Sequence, residues 1–302
     1  MRPGGPLEPS ERGPAGASVR PDWLPLDQAY AAYLDAHPAP AGGSLLAQTI
    51  LTGPSRRRVL PLLDVREGAD LLDLGTGFGP VVLEAGHLHR INGVGVDVDP
   101  GVLDVARGVG TALRAWLSPG ASVRFELANA TALPFEDATF DVVTARLLFQ
   151  HLSDPRAVIE ELERVLRGGG SVLVFDVDDG LSLTYPAPSE ELAALESAFA
   201  ACQSGRGGDR EIGRKLTSLF CDAGFRIRTV ELVAQAEHQA SAEGDASRLV
   251  NATRLRNVRE EIVRLGLLSA AEFDRCLDAY EHEPTVGRFR AESQLVVVAE
   301  KP

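Results

Sequence analysis

Residues 69–79 read Ala-Asp-Leu-Leu-Asp-Leu-Gly-Thr-Gly-Phe-Gly. An apolar run that ends in an acidic residue and three alternate glycines predicts a buried strand feeding a tight turn. Gly75, Gly77 and Gly79 can adopt positive φ and carry no Cβ, so the backbone can bend sharply and approach a ligand closely. The stretch from Pro80 to His89 has helical character, and Pro80 suits a first helical turn because its missing N–H would have no partner there. A ligand at this turn is offered the positive end of a helix and several free amides.

Spacing separates the ligand classes that use such turns. A dinucleotide fingerprint, G-x-G-x-x-G, begun at Gly75 would require glycine at position 80, where the chain has proline. The pattern is G-x-G-x-G with Asp73 two residues ahead. A carboxylate there repels a pyrophosphate and suits an ammonium, such as that of the methionyl part of S-adenosylmethionine. A second predicted strand, Ile91 to Val96, ends in Asp97, whose carboxylate can accept from both hydroxyls of a ribose.

With these residues in view, the chain resembles the class I S-adenosylmethionine-dependent methyltransferases. Asp73 to Gly79 is similar to their first motif and Gly95 to Pro100 to their second. Ala128 to Phe135 resembles the third-strand segment whose polar residue meets the adenine amine, with Asn129 where many relatives have Asp. Phe140 to Pro155 resembles the fourth strand and its active-site loop, and Arg164 to Gly170 the turn into strand five. The resemblance covers residues 60–235 and the C-terminal strand. It implies S-adenosylmethionine as cofactor, with contacts at Asp73, Gly75, Thr76, Gly77, Asp97, Val98, Asn129, Ala130, Arg146 and Gln150. An amide oxygen on Asn129 can still accept from the adenine amine.

The alternation of strands and helices implies a mostly parallel sheet covered on both faces. Strands are expected near 69–74, 91–96, 122–127, 140–145, 171–177, 225–233 and 293–299. The fold class is thus α/β, a Rossmann-like doubly wound seven-stranded sheet. The resemblance supplies the order 3-2-1-4-5-7-6 with the last strand antiparallel. Helical patterns at 189–201 and 209–223 lie between strands five and six, and others at 245–265 and 269–281 lie in a long insertion between strands six and seven. The expected organisation is a disordered tail over 1–20, a helical cap over 21–60, the core over 61–235 plus 293–302, and a helical lid over 236–292.

Composition sets limits. The chain has 302 residues, 44% of them hydrophobic, enough for a large core. Its net charge of −13 argues against nucleic acid as a partner, because phosphate neutralisation needs clustered Lys and Arg. No stretch reaches the ~18 apolar residues of a membrane span, and no signal peptide is apparent. Cys202, Cys221 and Cys276 are scattered without metal-ligand spacing, as in a reducing compartment. A cytoplasmic protein with a small-molecule acceptor follows, a homodimer being the default expectation.

Candidate chemistry lies after strands four and five. Arg146 can pair with a carboxylate of cofactor or substrate, and His151 has an imidazole suited to a general base. Tyr185 can face the substrate; Tyr30 and Tyr33 come from the N-terminal helix, one turn apart, with core packing as the alternative to reaching the cofactor carboxylate. Asp176, Asp178 and Asp179 form an acidic cluster that caps the loop or meets a cationic substrate, and Arg206, Arg210 and Arg214 read as a solvated face. Metal-dependent relatives need an acid just after strand four, where Ala145 and Arg146 stand, so no metal is expected. The residues leave open O-, N- or C-methylation, a noncatalytic cofactor-binding protein, and a nicotinamide oxidoreductase, the last disfavoured by Asp73 and Pro80.

Overall fold

The computed structural model describes residues 21–37, 43–238, 246–282 and 289–302. The tail expected to be disordered lies outside them. β1 (Asp70–Leu74), β2 (Asn92–Asp97), β3 (Ser122–Leu127), β4 (Phe140–Arg146) and β5 (Leu166–Val177) form the parallel part of one sheet. β8 (Phe289–Glu300) runs antiparallel to β5 on one side and to β7 (Arg226–His238) on the other. The order is β3-β2-β1-β4-β5-β8, with β7 beyond β8. The sequence-based count of seven strands is corrected to eight: a short β6 (Leu183–Tyr185) pairs with the start of β8, next to where β5 ends.

Neighbouring residues on the central strands serve opposite faces, as the two-residue period of a strand demands. Leu71, Val142, Leu173 and Val296 join one buried cluster, and Leu72, Val143, Val174 and Val297 the other. The first cluster is covered by α4 (Pro80–Leu88) and α5 (Pro100–Ala112), the second by α6 (Pro155–Val165) and α8 (Leu216–Asp222). Asp99 caps α5 by accepting from Gly101, and Asp154 caps α6 by accepting from Arg156 and Ala157.

The N-terminal helices divide between two tasks. α1 (Leu24–Ala36) buries Leu26 and Tyr30 in the first core cluster, and α3 (Gly53–Val59) is tied to α4 by ions. Arg56 donates to both oxygens of Glu84 at 2.7 and 2.8 Å, and Arg57 donates to Glu84 at 2.7 Å and to Asp27 of α1 at 2.9 Å. α2 (Gly43–Leu51) buries Leu46 in the first cluster and also packs against α9 (Ala246–Arg264). α9, α7 (Glu190–Gly205) and α10 (Ala270–His282) share a third buried cluster around Leu195, Ile262 and Phe273, separate from the two sheet faces. No described helix is long and apolar enough to cross a membrane.

Candidate active site

The turn between β1 and α4 has the conformation its glycines predict, with φ of +62° at Gly75, +55° at Gly77 and +81° at Gly79. A Cβ on Gly79 would stand 2.5 Å from the Phe125 ring, so that position is closed by packing. Beside Gly77 nothing lies within 4 Å, and the backbone there fronts open space. The amides are less free than expected. Thr76 N–H donates to the Val96 carbonyl at 2.9 Å, Gly77 N–H to Asp97 Oδ2 at 2.8 Å and Gly79 N–H to the Thr76 carbonyl at 2.9 Å.

Asp73 also differs from expectation. It is 1% exposed, and its two oxygens accept from the hydroxyls of Thr76 and Thr144, each at 2.6 Å. Burial outweighs these bonds and pushes its carboxyl up to about 6. Asp73 and Thr76 therefore brace the turn from below, where the sequence reading has Asp73 facing an ammonium. Tyr30 braces it from outside: its buried hydroxyl donates to the Phe78 carbonyl at 2.9 Å. Core support is thus the role its geometry shows.

The rim is built from the ends of β2, β3 and β4. Asp97 receives Gly77 N–H on Oδ2 and Asp99 N–H on Oδ1 at 3.1 Å, which leaves each oxygen a lone pair. Val98 beside it is 67% exposed, an apolar surface at the strand end. The Oδ1 of Asn129 accepts from both the amide and the hydroxyl of Thr131 at 3.0 Å, so the oxygen expected to meet an adenine amine is already engaged in a local turn. Ala130 is half-buried and packs against the second core cluster. Arg146 ends β4 with its guanidinium 5.6 Å from the Phe175 ring. Its Nε and Nη2 are buried without a hydrogen-bond partner. Burial, and then the neighbouring Arg56 cation, hold it below the ordinary arginine range.

Past Arg146 the chain turns through residues 149–151, with the glycine loop against Leu148 and a larger space against His151. Leu148 lies over Gly75, 3.0 Å from where a Cβ would stand, and His151 lines a crevice of about 550 Å³ with Leu45, Phe199, Cys202, Arg206, Arg254 and Val258 among its walls. That volume suits a small organic molecule. Gln150 is buried and tethered: its side-chain oxygen accepts from Arg210 at 2.6 Å and its carbonyl from Gln203 at 2.9 Å. These bonds organise the turn.

Burial, followed by the charges of Arg210, Arg254 and Arg206, pushes the His151 imidazole down to about 4. The ring is thus neutral at pH 7 and able to accept a proton, though weakly basic. Tyr185, expected to face the substrate, lies apart from this space. It is 75% exposed on β6 opposite Phe289 and is not among the walls of the crevice.

The acidic cluster turns out to be structural. Asp176 accepts from the amides of Val177 and Gln150, while Asp178 pairs with Arg214 and Asp179 with Arg210. Arg210 is accordingly no solvated residue, its side chain being 16% exposed. Among the described residues no three His, Cys, Asp or Glu side chains gather to hold a metal. Sequence reasoning missed Arg254 and Phe199. Arg254 is one of several arginines on α9, and no spacing distinguishes it.

The family described as a methyltransferase domain matches residues 72–174, from within β1 to within β5. The chain is 31% identical over 260 residues to an uncharacterized 37.1 kDa protein in transposon TN4556 of Streptomyces fradiae, spanning 84% of this chain and 69% of that one. The chain belongs to the class I S-adenosylmethionine-dependent methyltransferases. This methyltransferase is also 28% identical over 253 residues to the 27-O-demethylrifamycin SV methyltransferase of Amycolatopsis mediterranei, spanning 81% of this chain and 82% of that enzyme. The geranyl diphosphate C-methyltransferase of Streptomyces coelicolor, solved with Mg²⁺, geranyl diphosphate and S-adenosyl-L-homocysteine, shares the fold. Its TM-score is 0.52 at 14% identity, with 88% of this chain and 86% of that one covered.

Two features of the methyltransferase fit the family's cofactor. The open space at Gly77 leaves room for a ligand against the backbone, and the unpartnered buried atoms of Arg146 suit its terminal carboxylate.

Proposed function

We propose that the protein transfers a methyl group from S-adenosylmethionine to a small organic acceptor held in the crevice above residues 149–151. The carrying observation is the junction at Leu148 and His151, which sets a space of about 550 Å³ against the same turn that abuts the glycine loop. Arg146 holds the cofactor's carboxylate, Asp97 receives ribose hydroxyls on its remaining lone pairs, and Val98 covers the adenine. S-adenosylmethionine, when bound, supplies a methyl already activated on its sulfonium. What remains for the chain is to align a nucleophile and keep water out. His151, neutral at pH 7, takes a proton from a hydroxyl or acidic carbon acceptor. The relative acting on a rifamycin supports an acceptor from specialised metabolism.

The test is formation of S-adenosylhomocysteine from S-adenosylmethionine in the presence of a panel of small hydroxylated and amine acceptors, alongside calorimetry with S-adenosylmethionine and NADH. Turnover with binding of the sulfonium nucleoside is expected. Binding without turnover across the panel would favour a noncatalytic cofactor-binding protein, and tight binding of NADH alone would overturn the proposal.

A further inference from the structure

The crevice carries an excess of positive charge that nothing in the methyl-transfer reading requires. Three arginines surround His151, and their partners differ. Arg206 is paired with Glu261, and Arg210 with Asp179 and Gln150. Arg254 has, among the described residues, no carboxylate within ion-pair distance; its hydrogen bond is to the amide oxygen of Asn251 at 3.3 Å. Nearby Glu292 is engaged by Arg290. The Arg254 guanidinium stands 5.2 Å from the Phe199 ring, and both line the crevice; that of Arg210, behind the wall, stands 5.8 Å from the same ring. Leu45, Phe199 and Val258 give the same space an apolar side. A half-buried guanidinium with no counterion among the described residues, in a cavity that also offers an aromatic face, is chemistry suited to an oxyanion on an apolar body.

We infer that the acceptor is an amphipathic acid, whose carboxylate or phosphate is held by Arg254 while its apolar body lies against Phe199, Leu45 and Val258. The inference rests on the crevice being the acceptor site and adds the chemical class of what enters it. Arg206 at the wall supports the anion electrostatically, and its own tie to Glu261 leaves Arg254 as the principal contact. An acid bound there places its opposite end within the space that His151 lines. The charge therefore selects and orients the acceptor, and takes no part in the transfer itself.

The test uses the full-length protein with 8-anilinonaphthalene-1-sulfonate as a fluorescent probe of the crevice, displaced by 2-naphthoate, 2-naphthyl phosphate or the neutral 2-naphthalenemethanol. The acids are expected to displace the probe at concentrations about tenfold below the alcohol, the scale of one charge-assisted contact. Arg254→Gln should bring acids and alcohol within about twofold of each other, and Arg254→Lys should restore part of the preference. The relative strength of naphthoate and naphthyl phosphate tells which oxyanion the site takes.

Equal displacement by alcohol and acids in the unaltered protein, or a preference that survives Arg254→Gln, overturns the inference. S-adenosylhomocysteine affinity, measured by calorimetry on the same samples, should be unchanged by both variants. Its absence in the unaltered protein would sink the methyltransferase site, whereas its presence with no acid preference would sink only the acceptor class.

Discussion

At the scale of single residues the site is defined by which polar groups are already satisfied. Asp73, Thr76, Gln150 and Asp176 are all buried with partners inside the chain, whereas Arg146 has two nitrogens without them. Leaving a buried charge unpaired is costly, so Arg146→Met should hold or raise thermal stability while weakening S-adenosylhomocysteine by about 10- to 100-fold, the loss of one charge-assisted bond of roughly 1.5–3 kcal/mol. Adenosine, which has no carboxylate, should bind both forms alike; calorimetry and a melting curve decide the matter.

Asp73 gives a pH prediction. Its carboxyl is held near 6 in the folded chain against an ordinary 3.8, so folding favours the proton, and the stability tied to that proton is lost as pH rises through this window. Asp73→Asn keeps an acceptor for one hydroxyl and offers a donor to the other. The variant should gain in urea midpoint relative to the unaltered protein between pH 4 and pH 8, and a constant difference across that range would refute the assignment.

At the scale of elements, two joints set the function. The first is the ion cluster that locks α3 and α1 to α4. Arg56 is 1% exposed and Glu84 fully buried, so Glu84→Leu leaves a buried cation and should cost about 3–5 kcal/mol in urea unfolding. The pair Arg56→Leu with Glu84→Leu should recover much of that loss, since two apolar side chains replace two desolvated charges.

The second joint is the turn at 149–151, pinned by Asp176 from β5, by Gln203 from α7 and by Arg210. His151 on this turn faces Arg206, Arg210 and Arg254, two of them partly offset by Glu261 and Asp179. Its ring should titrate near 4 by NMR in the free protein, neutral above that pH and charged below it, and move upward when 2-naphthoate neutralises the arginines. A midpoint near 6.5 in the free protein would show that neither burial nor the cations bear on the ring.

At the scale of the molecule, the crevice is walled in large part by a unit with a core of its own. α7, α9 and α10 bury Leu195, Ile262 and Phe273 together, apart from the two sheet faces that carry the cofactor turn. Phe273→Ala should therefore loosen this unit, at about 3–5 kcal/mol for a buried aromatic, without unfolding the sheet. Hydrogen exchange is expected to speed up in α7, α9 and α10 while β1, β4 and β5 stay protected, and S-adenosylhomocysteine should bind as before. Loss of protection in β1 would mean that this helical unit and the sheet unfold as one.

What the amino-acid sequence determined by itself was local in character. The apolar run before Gly75, the alternate glycines and Asp97 at the end of the next strand specify a strand, a positive-φ turn and a second strand, because each depends on backbone conformation and on periods of a few residues. The order of such units was enough to imply the doubly wound sheet.

The tertiary structure alone decided which side chains are spent. Asp73 could be seen to lie beside the turn, but not that Thr144, 71 residues away, would engage it from β4. The eighth strand has three residues and no periodicity to read; pairing with β8 creates it. Arg254 becomes distinctive only because the fold brings α9 and His151 to the same crevice, where no carboxylate among the described residues pairs with it. Charge compensation depends on distance in space, and a linear chain does not encode that distance in its spacing.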